Sequence, residues 1–213
     1  MRLAFYILYY GIGKTLLAII FRVIFRTQVR GLDRLPRTNG LLLVCNHISF
    51  ADPPLLIAVV PRPGEFMTMA EMFRRPWLAK LLRIAGCFPV DRTRADSGSA
   101  REAVRRLRAG RCVSIFPEAG IRLGPKSVLG GDPIFKPGAG LIAELGQAAI
   151  LPVIVRDTRQ PYNWRNWLCR ARLRVTFGHP FCLWLPAHLT THERRAIARN
   201  ALRDALLKTV QLD

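Results

Sequence analysis

A histidine and an aspartate follow one apolar run closely enough to act together on a proton. The run, residues 41–45, predicts a buried strand, and His47 and Asp52 come after it with four residues between them. Two prolines directly after Asp52 predict the first turn of a helix, where proline is tolerated. Open α/β sheets bind ligands where their strands end, so this turn is a candidate site. The carboxylate would accept from one ring nitrogen and leave the other free to take a proton.

Three further segments, in or directly after predicted strands, carry residues that are unusual there. They are Asp91–Arg92 after strand 87–90, Pro117–Glu118 after strand 112–116, and Pro152 inside strand 150–155. Each segment has an ordinary explanation by itself. His47 and Asp52 could form a structural contact without chemistry. Asp91–Arg92 is typical of a capped turn, and Glu118 is typical of a helix cap.

Apolar periodicity and turn residues predict alternating strands and helices along most of the chain. The predicted strands are residues 27–32, 41–45, 66–70, 87–90, 112–116, 150–155 and 172–177. The predicted helices are residues 54–60, 77–84, 98–109, 139–148 and 191–210, with a loop rich in glycine and proline at 119–138. This alternation predicts an α/β fold with a mostly parallel or mixed central sheet flanked by helices.

The N-terminal residues 3–25 are the most apolar stretch and predict an amphipathic helical membrane anchor. Lys14 and Arg22 interrupt the ~20 uncharged residues that a membrane span needs, and no signal-peptide cleavage site follows. On a helix, one sector of about 120° holds Lys14, Ala18, Arg22 and Arg26. We expect a helix lying in the membrane interface, or two short helices hinged near Gly11–Gly13. A spanning helix and an ordinary core helix are the alternatives.

The length of the chain limits the number of domains, and its net charge indicates the class of partner. The 213 residues divide into the helical anchor, residues 1–26, and one domain, residues 27–213. Thirty-three Lys and Arg residues against fourteen Asp and Glu residues give a formal net charge of +19. Such a surplus is typical of proteins that bind nucleic acid or an anionic bilayer. No basic tail or aromatic–basic RNA motif is present, so charge alone does not choose between them.

The cysteines and histidines predict neither a disulfide framework nor a metal site. The cysteines are far apart and mostly inside apolar runs, which is typical of reduced, buried thiols in a cytoplasmic protein. They are Cys45, Cys87, Cys112, Cys169 and Cys182. His188 and His192 have the spacing of a zinc-binding helix. However, the capping-box pattern of Thr190 and Glu193 starts that helix after His188, so the two imidazoles do not share a helical face.

In this order and at these separations, the four segments resemble the glycerolipid acyltransferase family, whose best-known members are 1-acylglycerol-3-phosphate acyltransferases. The family has Asn-His and, after four residues, Asp; then an arginine soon after a phenylalanine; then Phe-Pro-Glu-Gly-Thr-Arg-Ser; and then an apolar segment with a central proline. The corresponding segments here are NHISFAD (46–52), FPVDR (88–92), FPEAGIR (116–122) and ILPV (150–153). The resemblance runs from about Val29 to Phe181, and a family member usually carries an N-terminal membrane anchor as well.

The resemblance implies direct acyl transfer catalysed by a His–Asp pair. His47 would be the general base that takes the proton from the acceptor hydroxyl, which then attacks the acyl thioester. Asp52 would fix the tautomer of His47 and stabilise the imidazolium. No acyl-enzyme forms in such a mechanism, so we interpret Ser49 as a turn-forming hydroxyl rather than a nucleophile.

The resemblance also implies a set of substrate-binding residues, which are Asn46, Arg92, Glu118, Arg122 and Pro152. Arg92 would grip the phosphate of the acceptor, a task that suits a guanidinium fork. Glu118 would help to position the acceptor, and Pro152 would lie near the acyl chain or the acceptor. Where the family reads Gly-Thr-Arg-Ser, this chain reads Ala-Gly-Ile-Arg, so Arg122 is shifted by one position and needs a flexible Gly120 to reach the same phosphate.

The function that this resemblance implies is a membrane-associated acyltransferase of phospholipid biosynthesis. It would move a fatty acyl chain from acyl-CoA or acyl carrier protein to the free hydroxyl of 1-acylglycerol-3-phosphate, without a metal or a further cofactor. We expect it at the cytoplasmic face of the inner (plasma) membrane, as a peripheral or monotopic protein held on anionic lipid, with no nucleic acid partner. The alternatives are an acyltransferase for another lysolipid, such as an ornithine- or ethanolamine-headed one, and a basic non-catalytic protein that binds membrane or nucleic acid.

Overall fold

Seven strands form one mixed sheet in the described part of the chain, which in this computed structural model comprises residues 2–90, 97–186 and 188–213. The strands are β1 (Arg26–Arg30), β2 (Leu41–Cys45), β3 (Gly64–Met69), β4 (Cys87–Val90), β5 (Cys112–Ile115), β6 (Ala149–Arg156) and β7 (Arg172–Phe177). Their order in the sheet is β1-β7-β6-β2-β5-β3-β4. The strands from β6 to β4 run parallel, whereas β7 is antiparallel to β6 and pairs in parallel with β1. The predicted mixed sheet is confirmed.

Helices cover both faces of this sheet. They are α1 (Arg2–Ile19), α2 (Asp52–Val59), α3 (Pro76–Ile84), α4 (Ser97–Arg108), α5 (Pro137–Gly146), α6 (Arg165–Leu168) and α7 (Thr191–Val210). Helix α7 has the predicted bounds because its capping box forms: Thr190 N donates to Glu193 Oε2 at 2.8 Å, and Glu193 N donates to Thr190 Oγ1 at 3.3 Å. Helix α6 has no predicted counterpart, because its four residues are too few for a periodic apolar pattern.

Strand β2 lies inside the sheet with both of its faces covered. All five of its residues are buried, as expected for a parallel strand packed between two layers of helices. Its odd-numbered residues face the core under α1 and α2, whereas Leu42 and Val44 face the core under α4, α5 and α7. The apolar run before His47 is therefore fixed from both sides and gives the following turn a rigid support.

The N-terminal segment differs from the prediction in its shape and in the direction of its charges. It forms one continuous helix, α1, followed by a π-helical turn at Ile20–Ile24, so the alternative of two hinged helices is wrong. The predicted basic sector is wrong as well, because Arg26 belongs to β1 and Lys14 is half-buried, donating through Nζ to Val60 O at 2.6 Å. Burial, together with the charge of Arg22, lowers the pKa of Lys14. The side of α1 that carries Lys14 can face the protein because the carbonyl of Val60 replaces the water that the ammonium loses on burial.

The outward side of α1 and of the following turn carries a row of large apolar side chains. We call the row the N-terminal apolar stripe; it consists of Ile12 (51% exposed), Leu16 (55%), Ile19 (50%) and Val23 (58%). Spacings of three and four residues place these side chains on one helical face. Among the described residues, no helix has the length and the apolar content that a bilayer crossing requires.

Gly140 sets how closely α5 and α7 approach each other. A Cβ at this position would lie 2.5 Å from Arg195 O, a backbone atom of α7. We expect Gly140→Ala to lower the free energy of unfolding by about 1–3 kcal/mol in urea denaturation, because the two helices must separate to admit the methyl group.

Gly138→Ala is the matched control on the same helix, because a Cβ at Gly138 meets nothing within 4 Å. Alanine favours helix over glycine, so the free energy of unfolding should stay unchanged or rise. Equal destabilisation by both substitutions would contradict the close approach of α5 and α7 at Gly140.

Candidate active site

Polar residues that are distant in sequence meet at one edge of the sheet because the strands before them run parallel. His47 follows β2, Glu118 follows β5, and Thr158 follows β6. We call this edge the carboxyl edge, since the five parallel strands all end there. It is the edge at which open α/β sheets bind their ligands.

The imidazole of His47 is held by Asp52 and by the ring of Phe116. Nδ1 lies 2.8 Å from Asp52 Oδ2, so the predicted contact is present, and the ring stacks on Phe116 with centroids 4.2 Å apart. An ionised carboxylate only accepts hydrogen bonds, so Nδ1 is the donor and the lone pair of the neutral ring is on Nε2. No described residue hydrogen-bonds to Nε2, and 11% of the side chain is exposed. The ring therefore presents a free acceptor nitrogen at the carboxyl edge.

The carboxylate of Asp52 is fully buried and is surrounded by hydrogen-bond donors. Besides His47 Nδ1, its Oδ2 accepts from Ile48 N at 2.8 Å and from Ser49 N at 2.9 Å. Its Oδ1 accepts from the hydroxyl of Thr158. Asp52 also begins helix α2, where the helix dipole favours a negative charge. These contacts fix the carboxylate, and through it they fix the orientation of the imidazole.

Thr158 is a functional candidate that sequence reasoning missed. It is fully buried, and it reaches Asp52 across a separation of 106 residues. A single threonine in a turn carries no pattern that marks such a contact. The one available signal is its place two residues after β6, at the same carboxyl edge as His47.

The hydroxyl of Ser49 is occupied by the turn around it, which agrees with the interpretation of Ser49 as a turn-forming residue. Ser49 Oγ donates to Thr158 O at 2.6 Å and accepts from Ala51 N at 3.0 Å. It also lies 3.1 Å from the hydroxyl of Tyr162. The side chain is completely buried, so it presents no nucleophile at the surface of the site.

Glu118 binds main chain on both of its carboxylate oxygens. Oε2 accepts from His47 N and Oε1 accepts from Val128 N, both at 3.1 Å. Burial raises the pKa of this carboxyl, and the two N–H donors and the charge of Arg122 oppose the shift only in part. Glu118 thus links the turn after β2, which carries His47, to the loop that contains Val128. Its expected role in positioning the acceptor can act through this link to His47.

Asn46, one of the predicted substrate-binding residues, has a structural function in this fold. Its side chain is fully buried, Nδ2 donates to Val155 O at 3.0 Å, and Oδ1 accepts from Val155 N at 2.8 Å. The amide thus continues the pairing of β2 with β6 by one residue beyond the backbone ladder. Both functional groups are used in this way, so Asn46 supports the neighbouring His47 rather than a ligand.

Arg122 lies next to His47 despite its shifted position in the sequence. Arg122 N donates to His47 O at 2.8 Å, and the side chain is exposed. The turn before it is unusual, because Ala119 has a φ of 53° in the left-handed region where the family has glycine. The backbone therefore brings Arg122 to the carboxyl edge, where its charge acts on Glu118.

Pro152 and Arg92 are the two remaining predicted site residues, and the structure describes only Pro152. Pro152 is buried within β6, where it pairs with Val44 and accepts through its carbonyl from Gly178 N at 2.9 Å. It is therefore a buried sheet residue, and its expected place near the acyl chain or the acceptor stays a prediction. Arg92 lies outside the described residues.

A basic depression of about 550 Å³ lies at the opposite edge of the sheet and contains none of the predicted site residues. Three of its four arginines already have polar partners. Arg106 and Arg111 pair with the buried carboxylate of Glu65, both at 3.0 Å. Arg62 donates to four backbone carbonyls. These contacts stabilise the loops before the strands, and the candidate site remains the carboxyl edge.

Comparison with known proteins identifies similar chains. Residues 26–156 match the family described as Acyltransferase. The chain is 27% identical over 180 residues to the 1-acyl-sn-glycerol-3-phosphate acyltransferase of Bacillus subtilis, covering 84% of this chain and 85% of that protein. It is 24% identical over 192 residues to the protein of the same name from Borreliella burgdorferi, covering 86% and 71%. The crystal structure of the 1-acyl-sn-glycerophosphate acyltransferase PlsC from Thermotoga maritima matches with a TM-score of 0.65 at 20% identity, over 94% of this chain and 77% of that one, which shows a shared fold.

Thr158→Val tests the hydroxyl that donates to Asp52. Valine keeps the β-branched shape but leaves Oδ1 of the buried carboxylate without its donor. We expect the free energy of unfolding to fall by about 1–3 kcal/mol in urea denaturation near neutral pH. Thr158→Ser is the matched control, because it retains the hydroxyl and should keep most of the stability. If the valine variant were as stable as the serine variant, the hydroxyl would not be needed to hold Asp52.

Proposed function

The chain belongs to the acyltransferase family and is an O-acyltransferase, and we propose that it transfers a fatty acyl group to the free hydroxyl of 1-acylglycerol-3-phosphate in phospholipid biosynthesis. The names of two relatives support this acceptor. The observation that carries the proposal is the free Nε2 of His47, whose Nδ1 is bonded to the buried carboxylate of Asp52. This is the arrangement of a general base whose tautomer is fixed.

The reaction proceeds by direct transfer between two bound substrates. His47 Nε2 takes the proton of the acceptor hydroxyl as its oxygen attacks the thioester carbonyl. The tetrahedral intermediate collapses, the C–S bond breaks, and the leaving thiolate recovers the proton from the imidazolium. Asp52 stabilises the imidazolium between these steps and does not itself need to accept the proton. The occupied hydroxyl of Ser49 supports this route over one through an acyl-enzyme.

The phosphate of the acceptor binds to two arginines, of which Arg122 lies at the carboxyl edge. The exposed Arg122 is held beside His47 by its backbone bond, and Arg92 is the second arginine of the proposed phosphate site. A guanidinium can bind two phosphate oxygens at once, which orients the glycerol hydroxyl as well as attracting the anion. Orientation of this kind supplies much of the rate in a reaction between two bound substrates.

The donor is acyl-CoA or an acyl carrier protein, and the protein works at the cytoplasmic face of the inner (plasma) membrane. Two observations support the location. The N-terminal apolar stripe is exposed on one helical face, and the chain carries a net charge of +19, which complements anionic lipid. Helix α1 then lies in the interface as a peripheral or monotopic anchor. The chemistry needs no metal and no cofactor apart from the donor.

His47→Ala tests the general base. We expect acyl transfer to 1-acylglycerol-3-phosphate to fall by at least about a hundredfold, because the acceptor hydroxyl loses its base. Radiolabelled acyl transfer by the purified variant measures this loss, and circular dichroism and vesicle binding should remain close to wild type. His192→Ala, at an exposed position on α7, is the control and should retain full activity. Turnover near the wild-type rate in His47→Ala would refute the mechanism.

A panel of acceptors tests the substrate, with one preparation and one acyl donor. It contains 1-acylglycerol-3-phosphate, a lysophosphatidylethanolamine and a lyso-ornithine lipid of the same chain length. We expect kcat/KM to be at least about tenfold higher for the phosphomonoester, because its dianion can form bidentate pairs with arginine. Equal or higher values for another headgroup would assign the enzyme to a different lysolipid.

A further inference from the structure

The connection between β6 and β7 exposes large aromatic and apolar side chains beside the site. Within residues 160–168, Tyr162 is 56% exposed, Trp164 is 69% exposed and Leu168 is 75% exposed. We call residues 160–168 the aromatic connection. Side chains of this size are seldom exposed together in one short segment unless something covers them.

The aromatic connection is held in place by its own contacts. Trp167 packs edge-on against Phe25 with ring centroids 5.2 Å apart, and its Nε1 donates to Pro161 O at 2.9 Å. The amide of Asn166 donates to the backbone and the side chain of Gln160. The exposed side chains therefore project from an ordered support.

The aromatic connection adjoins the end of the N-terminal apolar stripe. Arg170 Nε donates to Val23 O at 3.1 Å, and Val23 is the last member of the stripe. Arg26 N also donates to Ala171 O at 3.1 Å, just after the π-helical turn. The Val23 end of the stripe and the aromatic connection are therefore neighbours at this end of the molecule.

On its other side the aromatic connection contacts residues 46–52, which carry His47 and Asp52 and which we call the catalytic turn. Phe50 N donates to the hydroxyl of Tyr162 at 2.7 Å, and the same hydroxyl lies 3.1 Å from Ser49 Oγ. The side chain of Phe50 is itself 72% exposed. Phe50 stands between His47 and Asp52 in the sequence, so Tyr162 links the connection directly to the turn that carries the base.

We propose that the aromatic connection and Phe50 form a second lipid-contacting surface, which lies in the interface of an anionic phospholipid bilayer and seats the catalytic turn against it. The proposal rests on the proposed function, in which the acceptor is a membrane lipid. Tryptophan and tyrosine favour the interfacial region, where the ring is in an apolar environment and the polar atom is hydrated. The exposed arginines 159, 165 and 170 lie in or beside the connection and complement anionic headgroups. Continuity with the N-terminal apolar stripe favours a bilayer over a protein partner.

Single-tryptophan variants locate the surface without reference to turnover. The W77F/W167F/W184F variant keeps Trp164, and the W77F/W164F/W167F variant keeps Trp184, which is 89% exposed in the segment after β7. We expect vesicles of anionic phospholipid to shift the emission of Trp164 to shorter wavelength, and brominated lipid to quench it. Trp184 should keep its emission in buffer. A bound protein whose Trp164 is neither shifted nor quenched overturns the proposal.

Vesicle flotation measures the contribution of the surface to binding. We expect W164A/L168A to bind anionic vesicles at least about tenfold more weakly than wild type, because binding scales with buried apolar area. W184A is the control and should bind as wild type does. Equal binding of W164A/L168A and wild type overturns the proposal, and so does a wild-type protein that does not bind anionic vesicles.

Acyl transfer by the same wild-type preparation in detergent micelles reports separately on the proposed function. Transfer to 1-acylglycerol-3-phosphate together with unquenched Trp164 refutes only the second lipid-contacting surface. Quenching of Trp164 without any acyl transfer refutes the proposed function. The lipid-contacting surface would then exist in a protein that does not catalyse this transfer.

Discussion

The buried carboxylate of Asp52 is the constraint on which the site depends. A charge removed from water in a protein interior is strongly destabilising unless hydrogen-bond donors replace the water. Here the donors come from three places: the imidazole of His47, two backbone amides of the turn after β2, and the hydroxyl of Thr158 after β6. The turn must therefore close tightly around Asp52, and β6 must lie next to β2. The same requirement fixes the ring that carries the free nitrogen.

The main chain around His47 is held by side chains as firmly as its ring is. Asn46 pairs with both polar backbone groups of Val155, and Glu118 accepts from the backbone of His47. Asn46 and Glu118, two of the predicted substrate-binding residues, thus hold the backbone that positions the base. This arrangement is consistent with a reaction whose rate depends on orienting two bound substrates. An imidazole mounted on a loose turn would lose that advantage, because a base must lie within hydrogen-bond distance of the hydroxyl it activates.

The sequence predicts what is local and misses what is distant. The contact between His47 and Asp52 was predictable because the two residues flank one turn, and the bounds of α7 were predictable because its capping box spans only three residues. Thr158 was missed because its partner is 106 residues away and no periodic pattern marks it. Lys14 was assigned to the wrong side of its helix for a related reason. Its acceptor, Val60 O, belongs to another helix end, and nothing near Lys14 in the sequence reveals that carbonyl.

The reversed direction of two strands explains why the Val23 end of the N-terminal apolar stripe and the aromatic connection meet at the carboxyl edge. A parallel strand after β6 would have to begin at the opposite edge of the sheet, so the connection would first have to cross back to that edge. Because β7 is antiparallel to β6, the connection between them stays at the edge where His47 lies. β1 runs parallel to β7 and pairs Arg26 with Arg172, so the end of α1 reaches the same edge. The topology thus brings the Val23 end of the N-terminal apolar stripe, the aromatic connection and the base to the same edge of the sheet.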